Sequence, residues 1–149
     1  MILLSLFNKE NCFFIFSINM YTPILTKNLS KNLSLDELLE HINHQIQKFG
    51  FGVLYHIDFG ELSLKKRNIP IGVYRQLGIC HPDIWFWFLD QDKSYGALLP
   101  CPLCIYEEDT SRVVSIVESD AQLWIHPSYT PSMLSEKASC LLHDLFASL

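Results

Sequence analysis

Three stretches carry side chains whose types and spacing could do chemistry: Leu77-Gly78-Ile79-Cys80-His81-Pro82, Leu98-Leu99-Pro100-Cys101-Pro102-Leu103-Cys104, and the aromatic run Trp85-Phe86-Trp87-Phe88. Cys80 lies just before a predicted helix. A thiol there feels the partial positive charge of the helix N-terminus, which lowers its pKa and favours the nucleophilic thiolate. The same place suits an inert thiol, since free cysteine is among the most buried residue types, and the structural role is preferred. Cys101 and Cys104 have the spacing of a redox or zinc motif, yet they lead into an apolar strand instead of opening a helix. Extended backbone would hold their Cα atoms about 10 Å apart with side chains on opposite sheet faces, whereas a disulfide needs them within about 7 Å. Cys80, His81, Cys101 and Cys104 could supply four zinc ligands, but a lone CxxC without a second pair makes them weak candidates, so no metal is assigned.

The elements that must position these groups alternate between strand and helix. Thr22 to Leu29 supplies a first strand, and Ser34-Leu35-Asp36-Glu37 is a capping box that opens a helix. Leu35, Leu38, Leu39, Ile42, Ile46 and Phe49 form one apolar face of that helix, with Gly50 as its stop. His41 and His44 fall off that face and are expected in solvent. Phe51 to Phe59 is the next strand, with Val53, Tyr55 and Ile57 on one side and Leu54, His56 and Asp58 on the other. A short helix over residues 61–68 precedes a strand from Val73 to Ile79, in which Gly78 signals a bulge or a close backbone approach.

Pro82 at a first helical position and Asp83 beside it start a helix over residues 82–91. Stepping 100° per residue, Ile84 to Leu89 cover its whole circumference, so a single sheet-facing side cannot bury Trp85, Phe86, Trp87 and Phe88 together. Some of them must meet another surface. A second copy of the chain and the C-terminal segment of the same chain are the two alternatives. Cys101 to Tyr106 and Arg112 to Val117 then form a hairpin around a polar loop, and Thr130-Pro131 starts a last helix running to about Ser148. The order β-α-β-(α)-β-α-β-β-α predicts a single α+β domain, with helices packed on a mixed or antiparallel sheet.

With the preceding Gly50-Phe51-Gly52-Val53-Leu54, the two cysteine stretches resemble the domain-of-unknown-function 302 family, DUF302, over roughly residues 22–125. Leu77, Gly78, Cys80 and Pro82 match its pattern, as do Leu98, Leu99, Pro100 and Cys101. His81 and Pro102 stand where the family usually has asparagine, and Cys104 occupies what resembles an aliphatic position. The resemblance implies a fold, and it implies no reaction.

The 149 residues, 49% apolar and 18% charged, suffice for one hydrophobic core. A net charge of -5 has the wrong sign for a phosphate-neutralising nucleic-acid binder, and Lys65-Lys66-Arg67 is expected as a solvated turn. No apolar run approaches the ~18 residues of a membrane span. Five cysteines, an odd count at irregular spacings, argue for a reducing compartment, the cytoplasm. Residues 1–19 hold two apolar runs around a polar turn without the marks of a signal peptide. They are expected to be either a hairpin or an upstream extension before Met20, the second being preferred, with the domain spanning residues 20–149 and its last helix at 131–148.

Glycine-rich phosphate loops, nucleophile elbows and HExxH are missing, so no cofactor is assigned and an enzymatic role is left open. The expected function is a homodimeric small-molecule-binding or accessory module, with Trp85, Phe86, Trp87 and Phe88 as binding or interface residues. The alternative is a thiol-dependent redox enzyme or sensor using Cys80 and Cys101, and the third is a metal-binding protein.

Overall fold

A computed structural model describes residues 23–149; the segment 1–19 and its two readings lie outside them. Five strands form one antiparallel sheet in the order β1-β5-β4-β3-β2, with β1 at Ile24–Ser30, β2 at Gly52–Asp58, β3 at Tyr74–Cys80, β4 at Cys101–Glu108 and β5 at Ser111–Val117. The helices are α1 (Leu35–Lys48), α2 (Phe59–Arg67), α3 (Pro82–Gln91), α4 (Ser119–Leu123) and α5 (Met133–Ser148), and a 3-10 helix spans Lys93–Leu98. The result is a single α+β domain whose sheet is antiparallel throughout.

Local chemistry sets the ends of α1. The Ser34 hydroxyl accepts from the Glu37 N–H at 3.2 Å, and the Glu37 carboxylate accepts from the Ser34 N–H at 2.7 Å. Those bonds hold Glu37 below the usual carboxylate range. At the other end Gly50 adopts φ +78°, the Phe51 N–H donates to Ile46 O and the Gly50 N–H to Gln47 O. This is a Schellman stop, which needs a left-handed residue. Between these ends Leu38, Ile42 and Ile46 are buried while His41 and His44 are exposed, as the apolar stripe requires.

The main core lies between one face of the sheet and helices α1 and α5. Leu77, Ile79, Leu103, Ile105, Val114 and Ile116 come from three adjacent strands and meet Ile42, Ile46, Leu142 and Leu145. A second, smaller core forms where α3 packs on the 3-10 helix, α4 and α5: Ile84, Phe88, Tyr95, Leu123 and Ala138 are its buried members. The 3-10 helix and α4 are absent from the sequence reading. Each is a turn or two, too short for an apolar period to show.

Three expectations need correcting in detail. The strand reading puts Val53 with Tyr55 and Ile57, but the register slips between Val53, opposite Ile79, and Tyr55, opposite Gly78. The extra residue, Leu54, is a bulge that moves Val53 to the other face. The last helix begins at Met133 instead of Thr130-Pro131, because Ser132 is its N-cap and bonds reciprocally with Ser135. The second helix starts at Phe59 instead of residue 61, because the Asp58 carboxylate accepts from the Glu61 N–H at 2.9 Å and so caps it directly at the end of β2. Lys65, Lys66 and Arg67 fill its last turn, where cations are favoured by the helix dipole.

Gly78 is a close approach, as its place in a strand suggests. A Cβ there would lie 2.7 Å from Pro100 Cγ and closer still to the Tyr55 ring. Gly78→Ala is therefore expected to cost about 2 kcal/mol or more by overpacking, seen as a lower urea midpoint at unchanged slope. Tyr55→Ala in the same chain should recover part of that loss, since the two substitutions share one contact. Additive losses would show that Tyr55 does not occupy the space above Gly78.

Candidate functional site

Cys80 ends β3 and Cys101 begins β4, and the register places Cys101 opposite Ile79, one residue from Cys80. The two thiols are thus neighbours in the sheet. Successive side chains leave a strand by opposite faces; Cys101 packs on the main core with Ile79, which puts Cys80 on the face of Gly78. Both are free thiols. Cys80 is only 5% exposed, and burial pushes its thiol up to about 11, against a smaller lowering by the His81 N–H. Burial, and then the proximity of Cys80, push Cys101 up to about 12.

The sequence expectation for an activated Cys80 was the reverse. Cys80 precedes the N-cap residue His81, and the helix-end effect fades beyond the first turn and is worth at most about 1 kcal/mol at ordinary sites. Desolvation of a thiolate outweighs it.

His81 makes no side-chain cap bond. Its ring meets Phe51 edge-on with centroids 5.5 Å apart and lies over Gly50, where a Cβ would come within 2.9 Å of Nε2. Its Nδ1 is buried without a hydrogen-bond partner. Cys104 stands three residues along the uninterrupted strand β4 from Cys101, so the two leave by opposite faces. Its sulfur sits 3.8 Å from Gln76 Nε2. Cys80, His81, Cys101 and Cys104 do not converge: among the described residues no three His, Cys, Asp or Glu side chains are placed to hold a metal ion.

The aromatic run is split by its helix. Ile84 and Phe88 face the second core, Trp87 is half-buried, and Trp85 and Phe86 are 36% and 64% exposed. The C-terminal helix covers one side of α3 while Phe86 on the other stays exposed, and Phe88, expected among the binding or interface residues, is a core residue instead. An open groove of about 490 Å³ runs along the outer side, lined by Asp83, Trp85, Phe86, Trp87, Asp90 and, from α5, Leu134.

A third cluster went unrecognised in the sequence. The Ser94 hydroxyl donates to Asp92 Oδ1 at 2.6 Å and lies 2.6 Å from His126 Nε2. The Ser94 hydroxyl and backbone N–H together hold Asp92 below the usual carboxylate range. His126 is 8% exposed and stacks on Tyr95 with centroids 3.8 Å apart. A serine, histidine and aspartate in contact invite comparison with a nucleophilic triad, but the proton order is wrong. The Ser128 N–H donates to His126 Nδ1 at 3.2 Å, so the neutral ring carries its proton on Nε2 and donates to Ser94. It cannot take the proton of Ser94 in that tautomer. The cluster ties the 3-10 helix to the loop after α4. Nothing in the sequence links Asp92 to a histidine 34 positions on.

With this geometry in place, a family model described as domain of unknown function DUF302 matches residues 25–138. The chain belongs to the DUF302 family. The match runs past residue 125 into α5, farther than the sequence motifs alone reach. No curated protein matches. Among solved structures the chain is similar to an uncharacterised conserved DUF302 protein from Bacillus stearothermophilus, with 22% identity over 87% of this chain and 97% of that one, at a TM-score of 0.70. At that identity the likeness is one of fold.

The DUF302 pattern thus falls at one end of the sheet, where Gly50, Gly52, Gly78, Cys80, Pro100 and Cys101 are brought together by the pairing of β2, β3 and β4. Close approach accounts for Gly78 and Pro100 and the left-handed helix stop for Gly50. In pH terms, a thiol raised in the fold binds its proton more tightly there than in the unfolded chain, so stability contributed by Cys80 and Cys101 is full below about 8.5 and lost as pH rises toward 11 and 12. Alkylation of folded protein by iodoacetamide, followed by mass spectrometry at pH 7 to 9, should leave Cys80 and Cys101 unmodified. Rapid modification of Cys80 at pH 7 would restore the activated-thiol reading.

Ser94→Ala should strand the buried Nε2–H of His126 and cost roughly 1 to 3 kcal/mol, read from thermal unfolding. An unchanged melting temperature would show that the hydroxyl does not satisfy that ring.

Proposed function

We propose that this DUF302 protein is a homodimeric small-molecule-binding or accessory module that works through the outer side of α3. One observation carries the reading. Trp85 and Phe86 are exposed on a helix whose opposite side is already fully used by Ile84 and Phe88 in the second core. Large aromatics held outward on a rigid helix are costly to leave in water, and each contributes roughly 2 to 3 kcal/mol when covered. Met133, at the start of α5 beside the groove residue Leu134, is 87% exposed and extends the apolar surface.

The groove is large enough for a small ligand but lies open along one side, whereas binding pockets enclose most of their ligand. A second copy packed across a two-fold axis supplies the missing wall. Binding and self-association are therefore parts of one reading. The cytoplasm is the compartment proposed on the odd cysteine count; Cys80, Cys101 and Cys104 are free thiols, while Cys140 is disulfide-bonded. No helix among the described residues is long and apolar enough to cross a membrane.

Sedimentation at micromolar concentration should find a dimer, and Phe86→Glu or Trp85→Glu should give a folded monomer with native circular dichroism. A wild-type chain that sediments as a monomer at ~100 micromolar, where contacts weaker than about 5 to 6 kcal/mol are lost, would overturn the homodimer.

A further inference from the structure

Asp83, Phe86, Trp87 and Asp90 recur at i, i+3, i+4 and i+7, the spacing of a single helix face. All four line the groove on α3. Two aromatic side chains are thereby flanked by two carboxylates, whose backbone positions lie about 10 Å apart along the helix axis. Trp85 stands beside them with its ring 6.1 Å from that of Phe86 at 74°. No basic residue lines the groove, and among the described residues neither Asp83 nor Asp90 forms an ion pair.

The position of Asp90 is the informative one. Asp83 occupies the first turn of α3, where the helix dipole favours an anion; Asp90 lies in the last turn, which carries no basic residue. There a carboxylate meets the partial negative charge of the helix C-terminus and is disfavoured. Asp90 caps neither end of α3. A cation held in the groove would offset both that repulsion and the unpaired charge of Asp83, and the aromatic faces attract cations through their quadrupoles.

We infer that the α3 groove is a site for a small organic ammonium ion, its positive head between Asp83 and Asp90 and its apolar part against Phe86, Trp87 and Leu134. The inference rests on the binding reading proposed above and names its ligand class. The net charge of -5 favours encounter with cations at a distance. A protonated or quaternary amine fits this chemistry, whereas a carboxylate or phosphate would face two like charges.

The test uses three probes of similar shape on the full chain: benzyltrimethylammonium, benzyl alcohol and benzoate, followed by calorimetry and by tryptophan fluorescence. The ammonium probe should bind about tenfold or more tighter than benzyl alcohol, with benzoate weakest. Asp83→Asn with Asp90→Asn should abolish that preference while benzyl alcohol binds as before. Asp90→Asn alone is expected to hold or raise the melting temperature, which separates loss of binding from loss of fold. Equal binding of all three probes, or a cation preference that survives both substitutions, overturns the ammonium site and leaves the groove reading standing. Failure of every probe to bind overturns the two together.

Discussion

The absence of a side chain at Gly78 is the constraint on which the sheet depends. Tyr55 reaches over it from β2 and Pro100 presses against it from the approach to β4, so both neighbours of β3 are packed through one point. The bulge at Leu54 lies at that level in β2, and its extra residue brings Tyr55, rather than Leu54, opposite Gly78. Register is thereby pinned on both sides of β3. With β3 fixed, Cys80 falls buried at its end beside the half-buried Cys101 of β4, and the chain is released as α3 at Pro82. A cysteine in such a place fills space.

The two cores divide the labour of the domain. The sheet with α1 and α5 forms the larger one, whose members alternate along the strands. The smaller one holds α3 in place without the sheet, through the 3-10 helix, α4 and α5. Polar bonds reinforce it: the Gln122 amide donates to Leu98 O, and the Tyr129 hydroxyl donates to Asp120 at 2.9 Å. Burial first, with Asp120 adding to it, pushes Tyr129 up to about 12. Because α3 is braced from one side only, its outer face is presented on a rigid support, the arrangement a binding surface needs.

Much of this was legible in the residues. The capping box at Ser34, the stop at Gly50 and the apolar face of α1 are local signals, set by neighbours three or four positions apart. The strands of the hairpin and the split of the aromatic helix follow from periodicity as well. Three features did not follow, each for a physical reason. The bulge at Leu54 is decided by what Gly78 leaves vacant on another strand. The 3-10 helix and α4 are too short to carry a period. The contact of Ser94 with His126 joins residues 32 apart, one in a short 3-10 helix and one in a loop, neither with a pattern of its own. As for the site, the sequence shows that α3 carries more aromatic side chains than one face can bury but not that Phe88 is turned inward, and it leaves Cys80 a thiol of two readings because the sign of its pKa shift depends on how deeply the strand end is buried.

Reactive residue types and reactive sites part company in this molecule. Cys80, Cys101, His81 and His126 have the chemistry of catalysts, yet three are packed where ionisation is opposed or nitrogen is left without a partner, and the fourth has its proton committed to Ser94 by the Ser128 N–H. Catalytic groups need access as well as a tuned protonation state. The accessible surface of α3 carries indole and phenyl faces and two carboxylates instead. The exposed face of α3 and the four residues of catalytic type therefore lie in different places in this fold.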